Sequence, residues 1–440
     1  MNWFQRSNAF YLLTFFIIVI SIGAFLLRLP GVWRGGGSLS FTDAVFTASS
    51  AVCVAGLGVV NVSGFSRFGQ TVILFLIQTG GLGIISFSSI LLTIPGNHLA
   101  MIQRTTIQSF YIGGVEYRPR IIVRNIMVFT ACIEAVGAIL LALLFRAKGV
   151  RDWLFMGVFH AVSAFCNTGV SLFETGLTAF NRDIPLMLVI ILLITLGGLG
   201  FIVLQEVLGL ARGRRTHLSY HSRVVLGMSA LLAFGGAILF YILERGRSFE
   251  TMETGTAVVN ALFQSMNTRS GGFELISQRE LSQPSKLLTC LLMLMGGAPG
   301  SIAGGLKITI VFVILALIFR KPDSSGDINV FHHRLSGASI HKAVVYTLKA
   351  LALLLLCISA LTVLEGLAGQ SLGSLVFEVF SAFATVGLSL GATGNLSEGG
   401  KWVIIAAMFA GRVGLVALAF PALRQHKYEI SYPEGTLLLE

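Results

Sequence analysis

Gly56, Gly169, Gly272 and Gly387 are the residues whose type and spacing could first do chemistry. Each closes a short run of small or polar residues: Val52-Cys-Val-Ala-Gly56, Phe165-Cys-Asn-Thr-Gly169, Thr268-Arg-Ser-Gly-Gly272 and Phe383-Ala-Thr-Val-Gly387. Successive glycines lie 113, 103 and 115 residues apart, close to a quarter of the 440-residue chain. A cation that sheds its hydration shell needs replacement oxygens, and four converging backbone strands can supply rings of carbonyls. Turning successive carbonyls inward calls for backbone angles that glycine adopts without steric cost. The residues that would line such a filter are Val54, Ala55 and Gly56; Asn167, Thr168 and Gly169; Ser270, Gly271 and Gly272; and Thr385, Val386 and Gly387. One such run would be an ordinary loop or helix end. Four in phase point to a monovalent-cation pore.

The elements that must position these runs follow from apolar length. Stretches near 20 residues, enough to cross a bilayer core, occur near 10–29, 71–94, 122–145, 185–210, 223–243, 287–319, 343–366 and 402–422. Between the members of each pair lies a shorter apolar run, near 42–52, 153–165, 256–267 and 374–384. These are too short to span and read as re-entrant helices. Phe46, Phe159, Leu262 and Phe377 recur ten positions before the glycines, and Ser50, Ser163, Met266 and Ser381 six before. A helix entering from outside would point its carbonyl end, partly negative, at the membrane centre and favour a cation there. The expected fold is therefore an all-α membrane protein. Four non-identical helix–pore-loop–helix units, at 1–96, 97–212, 213–320 and 321–440, would give eight transmembrane helices and four re-entrant pore helices around one central pore.

Composition agrees with burial in lipid. Only 12% of residues are charged and 55% are hydrophobic, whereas soluble domains carry about 25% charge. The net charge of +11 is gathered between the apolar runs, around Arg104–Arg124, Arg212–Arg223, Arg320–Lys342 and Arg424–Lys427, which marks these loops and both termini as cytoplasmic. No basic segment has the aromatic platforms of a nucleic-acid reader. The five cysteines sit in or beside apolar runs with no metal-ligand or disulfide spacing and read as packing residues. The first span is too long for a signal-peptide core. No nucleophile triad, HExxH or dinucleotide fingerprint is present, and Gly394–Lys401 departs from a phosphate-binding loop, so no enzyme is expected.

A second glycine motif follows each filter glycine by 24, 28, 24 and 24 residues: Gly80-Gly-Leu-Gly83, Gly197-Gly-Leu-Gly200, Gly296-Gly297 and Gly411-Arg-Val-Gly414. Small residues within spans generally allow close helix packing. The sixth span is different. Gly296, Gly297, Gly300, Gly304 and Gly305, with Pro299 among them, make a continuous helix implausible, so a break facing protein or a cavity is expected. Arg412 lies within the last span, either facing a cavity or partner or snorkelling to the interface. Glu134 reads as the structural partner of a backbone or basic group, while Glu206 and Lys307 suggest no chemistry.

The phased TASSAVCVAGL, HAVSAFCNTG, TRSGGF and FSAFATVGL segments, over essentially the whole chain, resemble the Trk/Ktr/HKT superfamily of potassium transporters. The length and the Tyr432-Pro-Glu-Gly435 tail are more similar to its Ktr-type membrane subunit (KtrB-like). The resemblance implies a K⁺ filter, with Gly56 in the position associated with K⁺ preference. It implies a gate made by the broken sixth span (Gly296, Gly297, Gly300, Gly304 and Gly305) together with Arg412. It also implies a homodimer in the bacterial inner membrane and a separate cytoplasmic ring of nucleotide-binding regulatory subunits. Two features depart from the family pattern: the hydroxyl-poor Val-Cys-Val-Ala run and Ser270-Gly271. No cofactor is expected on this chain; K⁺ is the cargo and Na⁺ a candidate activator. The competing reading is a Na⁺-coupled or Na⁺-selective secondary transporter with discontinuous helices.

Overall fold

The computed structural model describes residues 8–35, 37–91, 119–213, 216–320, 327–331, 333–366 and 369–414. Helices dominate. In chain order they are α1 (Asn8–Leu27), α2 (Phe41–Val52), α3 (Arg67–Leu91), α4 (Pro119–Ala147), α5 (Trp153–Phe165), α6 (Ile184–Gly198), α7 (Phe201–Ala211) and α8 (Tyr220–Glu244). There follow α9 (Thr254–Asn267), α10 (Gln283–Leu294), α11 (Ile308–Phe319), α12 (Gly337–Glu365), α13 (Leu372–Phe383) and α14 (Glu398–Phe409). A hairpin of β1 (Ile328–Val330) and β2 (His333–Leu335) interrupts the otherwise helical chain. Its register is locked where Asp327 pairs with Arg334 and accepts the Gly337 N–H.

Among the described residues, three helices, Val123–Ala147, Tyr220–Glu244 and Ser339–Glu365, pass as long and apolar enough to cross a bilayer, and α6 with α7 adds a fourth as a bent pair. α3 has 25 residues and α1 has 20, while α10, α11 and α14 are shorter, with 12 residues each. Many helix starts are set by side-chain caps: Ser40, Ser219, Ser282, Ser336, Ser371 and Ser397 each accept a first-turn backbone N–H. Such caps contribute about 1 kcal/mol each.

The short helices α2, α5, α9 and α13 occupy the positions read as re-entrant. α2 packs on α1 and α3, α5 on α4 and α6, α9 on α8, and α13 on α12 and α14. Neighbouring pairs then join: α3 to α4 and α5, α6 to α9, α10 to α13, and α14 back to α2. That last contact closes a ring. It carries an ion pair from Lys401 Nζ to Asp43, 2.8 Å long, across 358 positions of sequence. Phe46, Phe159 and Phe377 are fully buried as the pattern requires. In the third copy the buried ring is Phe263 instead of Leu262, which is only partly covered.

Three interruptions shape the ring interior. The expected fourth span is not one helix: α6 and α7 meet at 108°, because Gly200 takes φ +82° directly after Gly197-Gly198-Leu199. The sixth is broken as expected, with residues 295–307 forming a loop between α10 and α11. The last span passes from α14 into a π-turn at Ala410–Gly414. In α3, by contrast, the Gly80–Gly83 motif stays helical.

Candidate functional site

The last turn of each short helix creates the site. At three of them the chain turns out of the helix through a left-handed residue: Val54 (φ +58°), Asn167 (+55°) and Thr385 (+50°). Two positions later Gly56, Gly169 and Gly387 are also left-handed, at +74°, +72° and +98°. Between them, the N–H of Ala55, Thr168 and Val386 reaches back to the carbonyls of Ser50, Ser163 and Ser381 at 2.8–2.9 Å. These are helix-ending bonds of the Schellman kind. β-Branched residues rarely accept such angles, so Val54 and Thr385 store strain of about 1–2 kcal/mol each.

The third turn reaches the same shape by another route. Ser270 (φ +98°) and Gly272 (+75°) are left-handed, but Gly271 and Gly272 both donate to the carbonyl of Asn267. The Asn267 side chain then clasps Phe273, donating to its carbonyl at 2.6 Å and accepting its N–H at 2.8 Å.

The four turns meet. A β-carbon added to Gly56 would collide with the Thr168 carbonyl oxygen, and one on Gly272 with that of Val386. On Gly387 it would lie 2.9 Å from the Ala55 oxygen, and on Gly169 2.6 Å from the Gly271 oxygen. Each middle residue, Ala55, Thr168, Gly271 and Val386, thus presents its carbonyl beside a glycine of an adjacent turn. The hydroxyls of Ser50, Thr168, Ser270 and Thr385 are buried here without a protein partner. Buried polar groups are rarely left so.

Further side chains hold the turns and were not singled out from sequence. His160 and Glu378 both stand nine positions before their glycines. His160 hydrogen-bonds Ser171 at 3.0 Å, while Glu378 accepts from Ser389, Leu390, Ala392 and Thr393. Each therefore ties a short helix to the strand that leaves its turn. Their shared offset from the glycine was a readable signal. In the third copy Gln264 and Gln278 pair instead, at 2.8 Å.

The second glycine motif packs against these helix ends. β-Carbons on Gly80, Gly197 and Gly411 would strike the carbonyls of Val52, Phe165 and Phe383, the last residues of α2, α5 and α13. The loop of the broken sixth span lies against the same region. A β-carbon on Gly304 would strike the Thr385 side chain, and one on Gly305 would lie 3.5 Å from Ala384. Gly296 N–H donates to the Leu306 carbonyl, and the Gly297 and Gly300 carbonyls accept from Ile308 and Phe201. Carbonyls that α6 loses at its bend are met by this loop: Gly198 accepts from Ala298 at 3.0 Å and Gly197 from Ile302 at 3.3 Å.

Arg412 enters from the π-turn, buried, and ties three pieces together. Its Nη1 donates to the Ile302 carbonyl and its Nη2 to those of Gly80 (2.8 Å) and Gly81 (3.4 Å). It faces protein partners and does not snorkel. Lys307 folds back onto the Ala303 carbonyl at 2.6 Å. Glu134, for which a backbone or basic partner was expected, accepts instead from the Gln78 amide at 3.0 Å and the Cys166 thiol. Glu206 accepts the N–H of Ser219 at the start of α8. The five cysteines are free, and Cys53, Cys166 and Cys357 are buried as packing residues.

This constellation offers carbonyl oxygens and hydroxyls, which suit a cation, and beside them one bound guanidinium, which opposes a cation. A family model described as TrkH, cation transport protein, matches residues 5–429. The chain belongs to the TrkH family of cation transport proteins. It is thus a membrane transporter and not an enzyme. It is similar to the potassium/sodium uptake protein NtpJ of Enterococcus hirae, 35% identical over 435 residues that cover 96% of this chain and 95% of that one. It is likewise similar to the Ktr system potassium uptake protein B of Bacillus subtilis, 33% identical over 443 residues, covering 99% and 97%. The crystal structure of the potassium transporter TrkH from Vibrio parahaemolyticus superposes with a TM-score of 0.73 at 19% identity, covering 95% of this chain and 86% of that one. At that identity the likeness is one of fold.

Proposed function

We propose that this TrkH-family member is a potassium-uptake subunit that passes K⁺ through a filter made by its four glycine-ended turns. The observation that carries this reading is the fourfold set of carbonyls at Ala55, Thr168, Gly271 and Val386, each beside a glycine of an adjacent turn. Left-handed glycines fix the direction of these carbonyls, and the unpartnered hydroxyls of Thr168, Ser270 and Thr385 add oxygens beside the same turns. All four short helices end their carbonyl termini here, which favours positive charge. In this reading 1–96, 97–212, 213–320 and 321–440 are four pore units around one axis. Convergence of four like-directed helix ends favours that arrangement over alternating access between inverted halves.

The loop at 296–305, which lies against Thr385 and which Arg412 ties to Gly80 and Gly81 of α3, is the gate. The names of the Ktr relatives describe a system, which supports a separate regulatory subunit, here the nucleotide-binding ring, docked on a homodimer. The basic clusters support a bacterial inner-membrane protein with both termini inside.

Gly56→Ser tests the filter. A side chain there meets both a left-handed φ and the Thr168 carbonyl. Accommodating it must turn the neighbouring carbonyls, and because about 1.4 kcal/mol of lost differential binding is tenfold, discrimination of K⁺ over Na⁺ should fall by roughly an order of magnitude. The measurement is uptake of both ions into vesicles carrying matched amounts of protein. Unchanged preference in Gly56→Ser, Gly169→Ser and Gly387→Ser alike would remove these turns from the filter.

A further inference from the structure

A groove between α4 and the bent pair α6 and α7 lies outside the conduction site. It encloses about 680 Å³ and is continuous, through Asn125, Phe129, Leu208 and Arg212, with a second hollow of about 410 Å³. The bend creates it by swinging α7 away from the line of α6. Phe201, at the start of α7, meets Phe129 edge to face at 6.2 Å and braces the two walls. Gly137 lets Leu193 of α6 close the floor.

The groove is chemically two-ended. Arg124 and Arg212 line one end together with Asn125. Both arginines are exposed, and neither forms an ion pair among the described residues. From Val128 onward the α4 wall is apolar as far as Leu140, opposite leucines of α6. From Arg124 to Leu140 the helix rises about 24 Å at 1.5 Å per residue. One leaflet contributes about 15 Å of hydrocarbon, with several more of headgroup region. A free anion would not need the apolar trough, and a zwitterionic lipid would not need two unpaired guanidiniums. Basic pockets between membrane helices suit anionic headgroups.

We propose that this groove seats one anionic phospholipid, its phosphate between Arg124 and Arg212 and an acyl chain along α4 and α6. The site is distinct from the conduction path, and its occupancy does not depend on which ion is carried.

The test uses the purified full chain with phosphatidylglycerol and, separately, phosphatidylethanolamine of the same acyl chains. Native mass spectrometry is expected to show one phosphatidylglycerol retained at least fivefold more than phosphatidylethanolamine. The Arg124→Gln/Arg212→Gln double variant should lose that preference, whereas Arg245→Gln, at the end of a different helix, should keep it. A photoreactive phosphatidylglycerol should label α4 and α7 in the unmodified chain, which serves even if the double variant folds poorly. Equal retention of the two lipids, label elsewhere, or a preference unchanged in a folded double variant would overturn the proposal. So would a disulfide dimer through the exposed Cys132 that survives saturating phosphatidylglycerol, because a second copy would then fill the groove.

Discussion

Single atoms decide the chemistry of this molecule. Asn267 is the clearest case: its amide holds both the N–H and the carbonyl of Phe273, in a copy whose glycine run differs from the other three. Asn267→Ala would leave two buried backbone groups unpaired, each costing about 1–3 kcal/mol. Thermal unfolding of the purified protein should show destabilisation of about 2–6 kcal/mol, and an unshifted transition would mean that the clasp is redundant. Arg412 carries the opposite expectation. Its guanidinium joins Gly80, Gly81 and Ile302, so Arg412→Ala should release the 296–305 loop. K⁺ flux in reconstituted vesicles should rise several-fold; equal or lower flux from folded protein would make the residue purely structural. The four glycines that end the converging turns were legible in the sequence because spacing and residue type repeat. Asn267 was not, since a lone asparagine before a glycine run has no periodic signal. The partners of Arg412 were equally hidden, because backbone carbonyls leave no trace in side-chain identity.

At the scale of elements, apolar length located the helices well and their continuity poorly. All four short helices lie where short apolar runs stand between long ones. The break in the sixth span was readable from five glycines and a proline. The 108° bend between α6 and α7 was not, because Gly197-Gly-Leu-Gly200 is identical to Gly80-Gly-Leu-Gly83, which remains helical. The difference lies in what each motif meets. Gly80 and Gly197 both pack on the end of a short helix, but Gly197 and Gly198 also face a loop whose N–H groups replace the lost helical bonds. Gly200→Ala should therefore disturb the fourth span far more than Gly83→Ala disturbs the second. At Gly200 an added β-carbon would lie 2.8 Å from the Pro299 carbonyl at φ +82°. The reading is K⁺ uptake at matched expression, with a severalfold loss for Gly200→Ala alone. Equal effects would mean that the bend is not needed. The β1–β2 hairpin was also missed, for want of an apolar alternation long enough to register.

Across the whole molecule the basic clusters assign a sidedness that the packing alone does not. Cysteine at His217 or Arg320 should react with an impermeant reagent only from the inside of right-side-out vesicles once they are opened, and cysteine at Arg151 from the outside. Labelling of position 217 or 320 in sealed vesicles would invert the proposed topology. The ring closure has a separate consequence for how the chain is made. Asp43 sits on α2, and its partner Lys401 is 358 positions later; Arg412 reaches Gly80 across 332. At about 5–20 residues per second, a ribosome needs roughly 20–70 s to deliver Lys401 after Asp43 has emerged. Through that interval the first quarter must wait in or beside the insertion machinery with its carboxylate and the Gly80 carbonyl still lacking their final partners. A chain stalled anywhere before the last span is therefore an open arc, in which the edge of α2 that α14 covers in the finished protein has no neighbour.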